Sequence, residues 1–192
     1  MKNYLLAGFI SVALLGTLNA EDKVKSISFD DYAKWKAGTV EASVETVKDG
    51  DTTVLSFKVA VDHKKDGKGK TDGKYLKGWP RMIHYIKPVV DLNNYKELRF
   101  EYKISSNRKN VDKTLIYANF NSGKAACTYT FDAGKEDGEW HTKILLVKDI
   151  ITKSKKTAAD WQTLIYIQFG LSEQNHEDGT KLDIKLKNIV LQ

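Results

Sequence analysis

The stretch that decides the fold is Leu98-Arg99-Phe100-Glu101-Tyr102-Lys103-Ile104, in which apolar and charged residues alternate without a break. A period of two is typical of a β-strand that has one face in a core and the other in water. The same alternation recurs from residue 39 to the end of the chain, and no segment sustains the 3.6-residue apolar spacing of a long helix. The sequence therefore predicts an all-β protein.

Short apolar-alternating segments repeat along the chain, and turn-forming residues separate them. We predict strands over residues 40–45, 54–61, 82–86, 98–104, 115–120, 127–131, 141–147, 164–169 and 182–191. The turn signals are Asp49-Gly50-Asp51, Asn121-Ser122-Gly123, Glu136-Asp137-Gly138 and Glu177-Asp178-Gly179. Nine or ten strands at this spacing indicate a sandwich or a barrel, and we predict a two-sheet antiparallel β-sandwich with one short helix near residues 29–36.

Composition supports one domain. The chain has 192 residues, 41% hydrophobic and 29% charged, which is too apolar for disorder and enough for one core. A single cysteine excludes an intrachain disulfide framework, and we expect Cys127 to be a small buried apolar residue. We predict one domain over residues 21–192.

The first 20 residues have the layout of a secretory signal peptide. Lys2 precedes apolar residues 4–15, and the small or polar stretch Gly16-Thr17-Leu18-Asn19-Ala20 ends the segment. We predict cleavage after Ala20 and a secreted or periplasmic protein with no membrane span after signal removal; a retained anchor is the alternative. Export argues against a nucleic-acid partner, so the net charge of +6 favours anionic polymers or surfaces instead.

Four segments, taken in order, resemble the β-jelly-roll domains of the galactose-binding-like superfamily. They are Gly78-Trp79-Pro80, the stretch from Pro88 to Lys103 with Asp91-Leu92 and Tyr95 at its centre, Gly138-Glu139-Trp140, and the closing residues 182–191. The resemblance implies a non-catalytic, carbohydrate-binding-module-like jelly roll. It departs from the pattern at Lys187 and Asn188, where such domains often carry acidic residues, and this casts doubt on the structural calcium of the family.

The alternation also predicts a sugar-binding surface. If Ile116, Ala118 and Phe120 point inward, Tyr117 and Asn119 point outward, and the same rule turns Tyr166 and Gln168 outward. Aromatic faces cover the apolar patches of sugars, and amides bond to their hydroxyl groups. The predicted ligand-binding residues are Trp79, Arg81, His84, Tyr85, Arg99, Tyr117, Asn119, Tyr166 and Gln168.

Two other functions stay open. Arg81, His84 and Tyr85 supply the residue types of a polysaccharide lyase acting on an anionic polysaccharide, and the same surface could instead recognise an envelope protein. No catalytic residue is assigned, and the sequence lacks serine-nucleophile and phosphate-loop motifs.

No histidine pair has metal-ligand spacing, so we assign neither a metal site nor a cofactor. The one exception is a structural calcium, for which Asp30 and Asp31 with Asp183 or Asn188 are the candidate ligands. For the core, we predict that Phe100 and Trp140 are buried.

Overall fold

The computed structural model describes residues 26–63, 79–109, 111 and 113–192. The predicted signal peptide lies outside these residues. The described strands are β1 (Ile27–Ser28), β2 (Trp35–Ala37), β3 (Ala42–Asp49), β4 (Thr52–Ala60), β5 (Arg81–Val90), β6 (Glu97–Ser106), β7 (Leu115–Asn121), β8 (Ala126–Asp132), β9 (His141–Leu146), β10 (Leu164–Gly170) and β11 (Lys181–Leu191). One α-helix, α1 (Val147–Ser154), and the 3-10 turns Tyr32–Lys34, Leu92–Asn94, Ala158–Trp161 and Glu173–Asn175 complete the described elements.

The strands form two antiparallel sheets. Sheet I has the order β3-β4-β11-β6-β9, with β1 paired to the end of β11, and sheet II has the order β2-β5-β10-β7-β8. Neighbours in these orders are mostly distant in sequence, as in a jelly roll, where long connections cross between the sheets. The predicted two-sheet antiparallel sandwich is confirmed.

The core lies between the inner faces of the sheets. Phe100 of sheet I is 1% exposed, and its ring meets Phe169 of sheet II edge-on at a centroid distance of 4.8 Å. Ile116, Ala118 and Phe120 of β7 are also buried, as their alternation predicts. Burial of these apolar side chains removes their surface from water and is the main force holding the two sheets together.

Trp140 departs from its prediction. It immediately precedes β9 and is half-buried on the outer side of sheet I, where its ring lies 4.1 Å from the Lys187 ammonium. Leu145, opposite Leu98, is the apolar residue of β9 that enters the core. Because side chains alternate, an inward residue 145 puts residue 140 on the outer side. The alternation of β9 was therefore assigned the wrong way round.

The helices also differ from expectation. The short helix predicted near residues 29–36 is only the 3-10 turn Tyr32–Lys34, which leads directly into β2, while α1 follows β9 directly. Val147 and Ile150 of α1 are buried, and Ile151 packs on the same cluster. Their i, i+3 and i+4 spacing is helical, but it spans too few residues to stand out beside the adjoining strand pattern. Among the described residues, no helix has the length and apolar character needed to cross a membrane.

Candidate functional site

The outer side of sheet II brings together residues from three neighbouring strands. Here β10 pairs with β5 on one side and with β7 on the other. The side chains form three rows across β5, β10 and β7, namely Arg81–Gly170–Tyr117, Ile83–Gln168–Asn119 and Tyr85–Tyr166–Asn121. We call these nine residues, with Trp79 at one end, the sheet II face. Successive rows lie about 7 Å apart, which is two residues along a strand.

Two tyrosines form one end of the sheet II face. Tyr85 is 52% exposed, and its ring meets that of Tyr166 edge-on at 5.9 Å. Strict alternation would turn Ile165 inward, but a register shift in β10 between Leu164 and Tyr166 puts Leu164 in the core instead and leaves Ile165 half-buried. The exposed ring of Tyr85 offers an apolar surface to a ligand.

Trp79 covers Tyr117 at the opposite end. The two ring centroids are 5.8 Å apart, and Tyr117 is only 6% exposed, so burial raises its pKa to about 12. A Cβ at Gly170 would lie 2.5 Å from the Tyr117 hydroxyl oxygen and 2.5 Å from the Pro80 carbonyl oxygen. Glycine at 170 therefore lets the Tyr117 ring lie across β10. Tyr117 is on the predicted face but is covered, and Trp79, at 43% exposure, presents the available ring.

Amides occupy the middle of the sheet II face. The Asn119 Nδ2 donates to Thr128 Oγ1 at 2.7 Å, which fixes the amide and leaves its oxygen without a hydrogen bond. The Asn121 oxygen accepts from the Gly123 N–H at 2.8 Å. Among the described residues, Gln168 has no side-chain partner, so it can both donate to and accept from a ligand.

Cations border the sheet II face. Lys36 on β2 and Lys87 on β5 are exposed, and Arg81 is half-buried. A Cβ at Gly38 would lie 2.7 Å from the Arg81 Cγ, so the arginine stem rests on this glycine. None of the three cations forms an ion pair with a described residue, and the three rows contain no carboxylate.

Two predicted site residues lie elsewhere. His84 points to the inner side of sheet II, where its ring is 5.2 Å from those of Phe29 and Trp35, and burial lowers its pKa. It lies between outward-facing neighbours on β5, so alternation turns it inward. Arg99 lies exposed on sheet I, the opposite sheet. The predicted lyase trio is therefore split, because His84 is on the other side of the strand from Arg81 and Tyr85.

The candidate calcium ligands do not form a cation site. Asp30 already accepts hydrogen bonds from Ser28, Tyr32 and the Ile189 N–H. Asn188 donates to Glu101, while Asp183 accepts from Ser56 on another part of sheet I. No grouping of three or more histidine, cysteine or acidic side chains suited to a metal occurs within the described part of the chain. These residues do not fit a calcium ion.

Sheet I carries a concavity of about 550 Å³ across the ends of β3, β4, β11 and β6. Its described lining contains no aromatic residue. Two of its charged groups already have partners, since Lys58 pairs with Glu45 and Asp183 accepts from Ser56 at 2.7 Å. The volume of this concavity favours it as a binding site, but its lining residues are less suited to a sugar than those of the sheet II face.

Sequence reasoning missed Gly170 and Ile83. Ile83 lies between the side chains of Arg81 and Tyr85 on the same outward line, so strict alternation could have identified it. A glycine inside a strand signals close approach by another group, and at Gly170 that group is Tyr117. The identity of that group could not be read from the sequence, since Tyr117 lies on a different strand.

No family model matches the sequence, and no curated protein matches it either. Solved structures do match. A family 11 carbohydrate-binding module of a cellulosomal cellulase from Clostridium thermocellum is 12% identical with a TM-score of 0.57, and the match covers 88% of this chain and 94% of that one. A family 28 module specific for non-crystalline cellulose is 13% identical at a TM-score of 0.54, covering 83% and 87%.

An exo-β-agarase is 11% identical at a TM-score of 0.53, and the match covers 83% of this chain but only 24% of the agarase. At these identities the comparisons establish a shared fold. They confirm that the chain has the jelly-roll architecture of carbohydrate-binding modules.

Proposed function

We propose that the protein is a secreted, non-catalytic carbohydrate-binding domain that binds a polysaccharide along the sheet II face. The observation that carries the proposal is that exposed rings and amide side chains share one surface, and that the Gln168 amide has no hydrogen-bond partner among the described residues. Trp79 lies at one end, Tyr85 and Tyr166 lie at the other, and Gln168 and Asn119 lie between them.

The chemistry of this surface suits a sugar chain. The C–H faces of pyranose rings pack on aromatic rings, while their hydroxyl groups exchange hydrogen bonds with amides. The rows span about 14 Å along the strands. This length accommodates several linked sugar units rather than one.

The cations favour an acidic polysaccharide. Arg81, Lys36 and Lys87 border the face, and the rows contain no carboxylate to repel a uronate or a sulfate. A guanidinium without an ion-pair partner can donate two charge-assisted hydrogen bonds to such a group. We therefore expect acidic glycans to bind more tightly than neutral ones.

The fold comparisons support the ligand class. Two of the matched structures are modules of a cellulase and of a non-crystalline cellulose binder, and a third belongs to an agarase. All three proteins act on or bind polysaccharides, and their shared architecture is consistent with that role here. Export follows from the predicted signal at residues 1–20, and N-terminal sequencing of the exported protein should begin at Glu21.

Titration calorimetry of the exported protein tests the proposal, with polygalacturonate, alginate, carboxymethylcellulose and agarose oligosaccharides as probes. Tyr85→Ala and Tyr166→Ala should each weaken binding by about 5- to 30-fold, the value of one or two kcal/mol of aromatic contact. Trp140→Ala is the matched control, because Trp140 is an accessible ring on sheet I, and it should bind like the parent.

Failure to bind any of these glycans, or equal binding by the tyrosine variants, would contradict the proposal. The same solutions are assayed for unsaturated sugars, since only a lyase makes a new carbon–carbon double bond. Their formation would overturn the non-catalytic assignment. Binding to an envelope protein with no response to glycans would favour a protein-recognition role.

A further inference from the structure

A small cavity opens beside Trp79 at the end of the sheet II face. It has a volume of about 190 Å³, and its walls come from β7, β8 and the turn that follows β10. Its lining includes Trp79, Tyr117, Ser172, Gln174 and Asn175. An apolar cavity of about 150 Å³ accepts one benzene ring, so this volume suits a single six-membered ring.

Three polar side chains of the cavity have no hydrogen-bond partner among the described residues. Gln174 and Asn175 are exposed, and their side-chain amides make no hydrogen bond to any described residue. Ser172 is only 6% exposed, and its buried hydroxyl also makes no hydrogen bond to a described residue. A buried hydroxyl without a hydrogen bond gains from a ligand that bonds to it, and the exposed amides can exchange their bonds to water for bonds to the same ligand.

The apolar wall complements these polar groups. The Trp79 and Tyr117 rings pack at 57° to each other, and Leu115 and Ile116 add aliphatic surface. None of the described lining residues is charged. A pyranose chair, with C–H groups on its faces and hydroxyl groups around its edge, matches this arrangement, whereas a carboxylate or a sulfate would find no cation among the described lining residues.

We propose that this cavity is an end subsite that holds one uncharged pyranose unit. The choice of ligand class rests on the proposed function. The cavity and the sheet II face bind different parts of the same glycan. The face, bordered by cations, takes the body of the chain, while the cavity takes a neutral unit at the point where Gly170 ends β10.

Single sugars test the cavity separately from the face. Methyl glucoside, methyl galactoside and methyl mannoside are added to the isotope-labelled mature protein, and the Trp79 indole and the Gln174 and Asn175 side-chain amides are followed by NMR. At least one of these sugars should shift all three signals with a Kd of the order of 1–10 mM, and methyl glucuronide should bind more weakly. No shift with any neutral sugar, or tighter binding of the glucuronide, would overturn the proposal.

Variants identify the groups responsible. Gln174→Ala and Ser172→Ala should each weaken the sugar about 5-fold, as expected for loss of one net hydrogen bond. Gln162→Ala is the matched control, because Gln162 is an exposed glutamine outside the cavity lining, and it should leave the Kd unchanged. Equal Kd values for all three variants would contradict the assignment.

The two proposals can fail independently. Monosaccharide shifts at the cavity without tighter binding of any longer glycan would leave the subsite in place and contradict the polysaccharide-binding function. Tight binding of a polysaccharide without any cavity shift would leave the function in place and overturn the subsite.

Discussion

The outer sides of the two sheets differ in how their polar groups are used. On sheet I, Asp49 accepts from Lys185 at 3.0 Å, from Lys103 at 3.2 Å and from the Trp140 indole at 3.2 Å. Lys187 and Glu101 pair at 3.4 Å on the same surface. On sheet II, the cations have no carboxylate partner among the described residues. The sheet I charges around Asp49 and Glu101 are therefore paired within the protein, whereas Arg81 and Lys36 beside sheet II donate to the Trp79 and Ala33 carbonyl oxygens and have no described carboxylate partner.

The difference shows what distinguishes a solvated sheet from a recognition surface. Surface ion pairs such as those of sheet I contribute little to stability, about 0–1 kcal/mol each, but they leave few free groups for a partner. Rings and amides without partners contribute nothing to the free protein. They become favourable only when a ligand binds.

The largest expected contrast concerns one aromatic ring on each surface. Tyr117→Ala should lower the free energy of unfolding by about 3–5 kcal/mol, since the ring is buried between Trp79 and Gly170 and its loss leaves a cavity. Trp140→Ala should cost about 1 kcal/mol because its ring is half-exposed. Urea denaturation measures both. Equal losses of unfolding free energy in the two variants would contradict the difference in burial between the two rings.

As the pH falls, a buried histidine should lower the stability of the fold at a higher pH than the sheet I ion pairs do. Burial lowers the pKa of His176 to about 4 from its ordinary 6.5, and neither ring nitrogen has a hydrogen-bond partner among the described residues. The unfolded chain therefore binds the proton more readily, so the stability that is present above pH 6.5 is lost as the pH falls towards 4. The free energy of unfolding should fall by about 2 kcal/mol by pH 5. Buried His84 shifts in the same direction.

The Asp49 carboxyl responds only at lower pH. Hydrogen bonds from Lys185 and Lys103 hold its pKa below the usual 3.8, so its contribution persists until the pH falls below that value. His176→Leu should flatten the slope of unfolding free energy against pH between pH 6.5 and 4. An unchanged slope in His176→Leu would contradict the assignment.

A smaller effect should distinguish the cations of the two surfaces. Arg81→Ala should weaken polygalacturonate binding about 5- to 10-fold in low salt, because a charge-assisted hydrogen bond is lost, and the difference should shrink as salt is added. Lys187→Ala should change binding less than twofold, since Lys187 already pairs with Glu101. Calorimetry at two ionic strengths measures this. A larger loss in Lys187→Ala would place the ligand on sheet I.

The smallest expected effect is that of calcium. Asp30 already accepts from the Ile189 N–H at 3.0 Å and from two hydroxyl groups, so its oxygens are used by the protein itself. Adding calcium or a chelator should shift Tm by less than about 1 °C, since a ligand stabilises only the state that binds it. A shift of several degrees would show that a cation site exists.

The site was only partly predictable, and His84 and Tyr117 show why. Alternation correctly turned Asn119, Tyr166 and Gln168 to the outer side because a strand has only two faces. His84 was grouped with its sequence neighbours although the same rule turns it inward. Tyr117 was placed on the correct face, but its burial depends on Trp79, which lies just before β5 and is distant in sequence.

The sequence by itself determined the all-β class and the faces of several strands, since both follow from a period of two that each segment carries locally. It also determined part of the core, including Phe100 and the inward residues Ile116, Ala118 and Phe120 of β7. Only the tertiary structure decided that β10 lies between β5 and β7, that Trp79 covers Tyr117, and that Trp140 lies among lysines on sheet I. The physical reason is that strand order and ring packing join residues far apart in sequence, and no local pattern records which segments will meet.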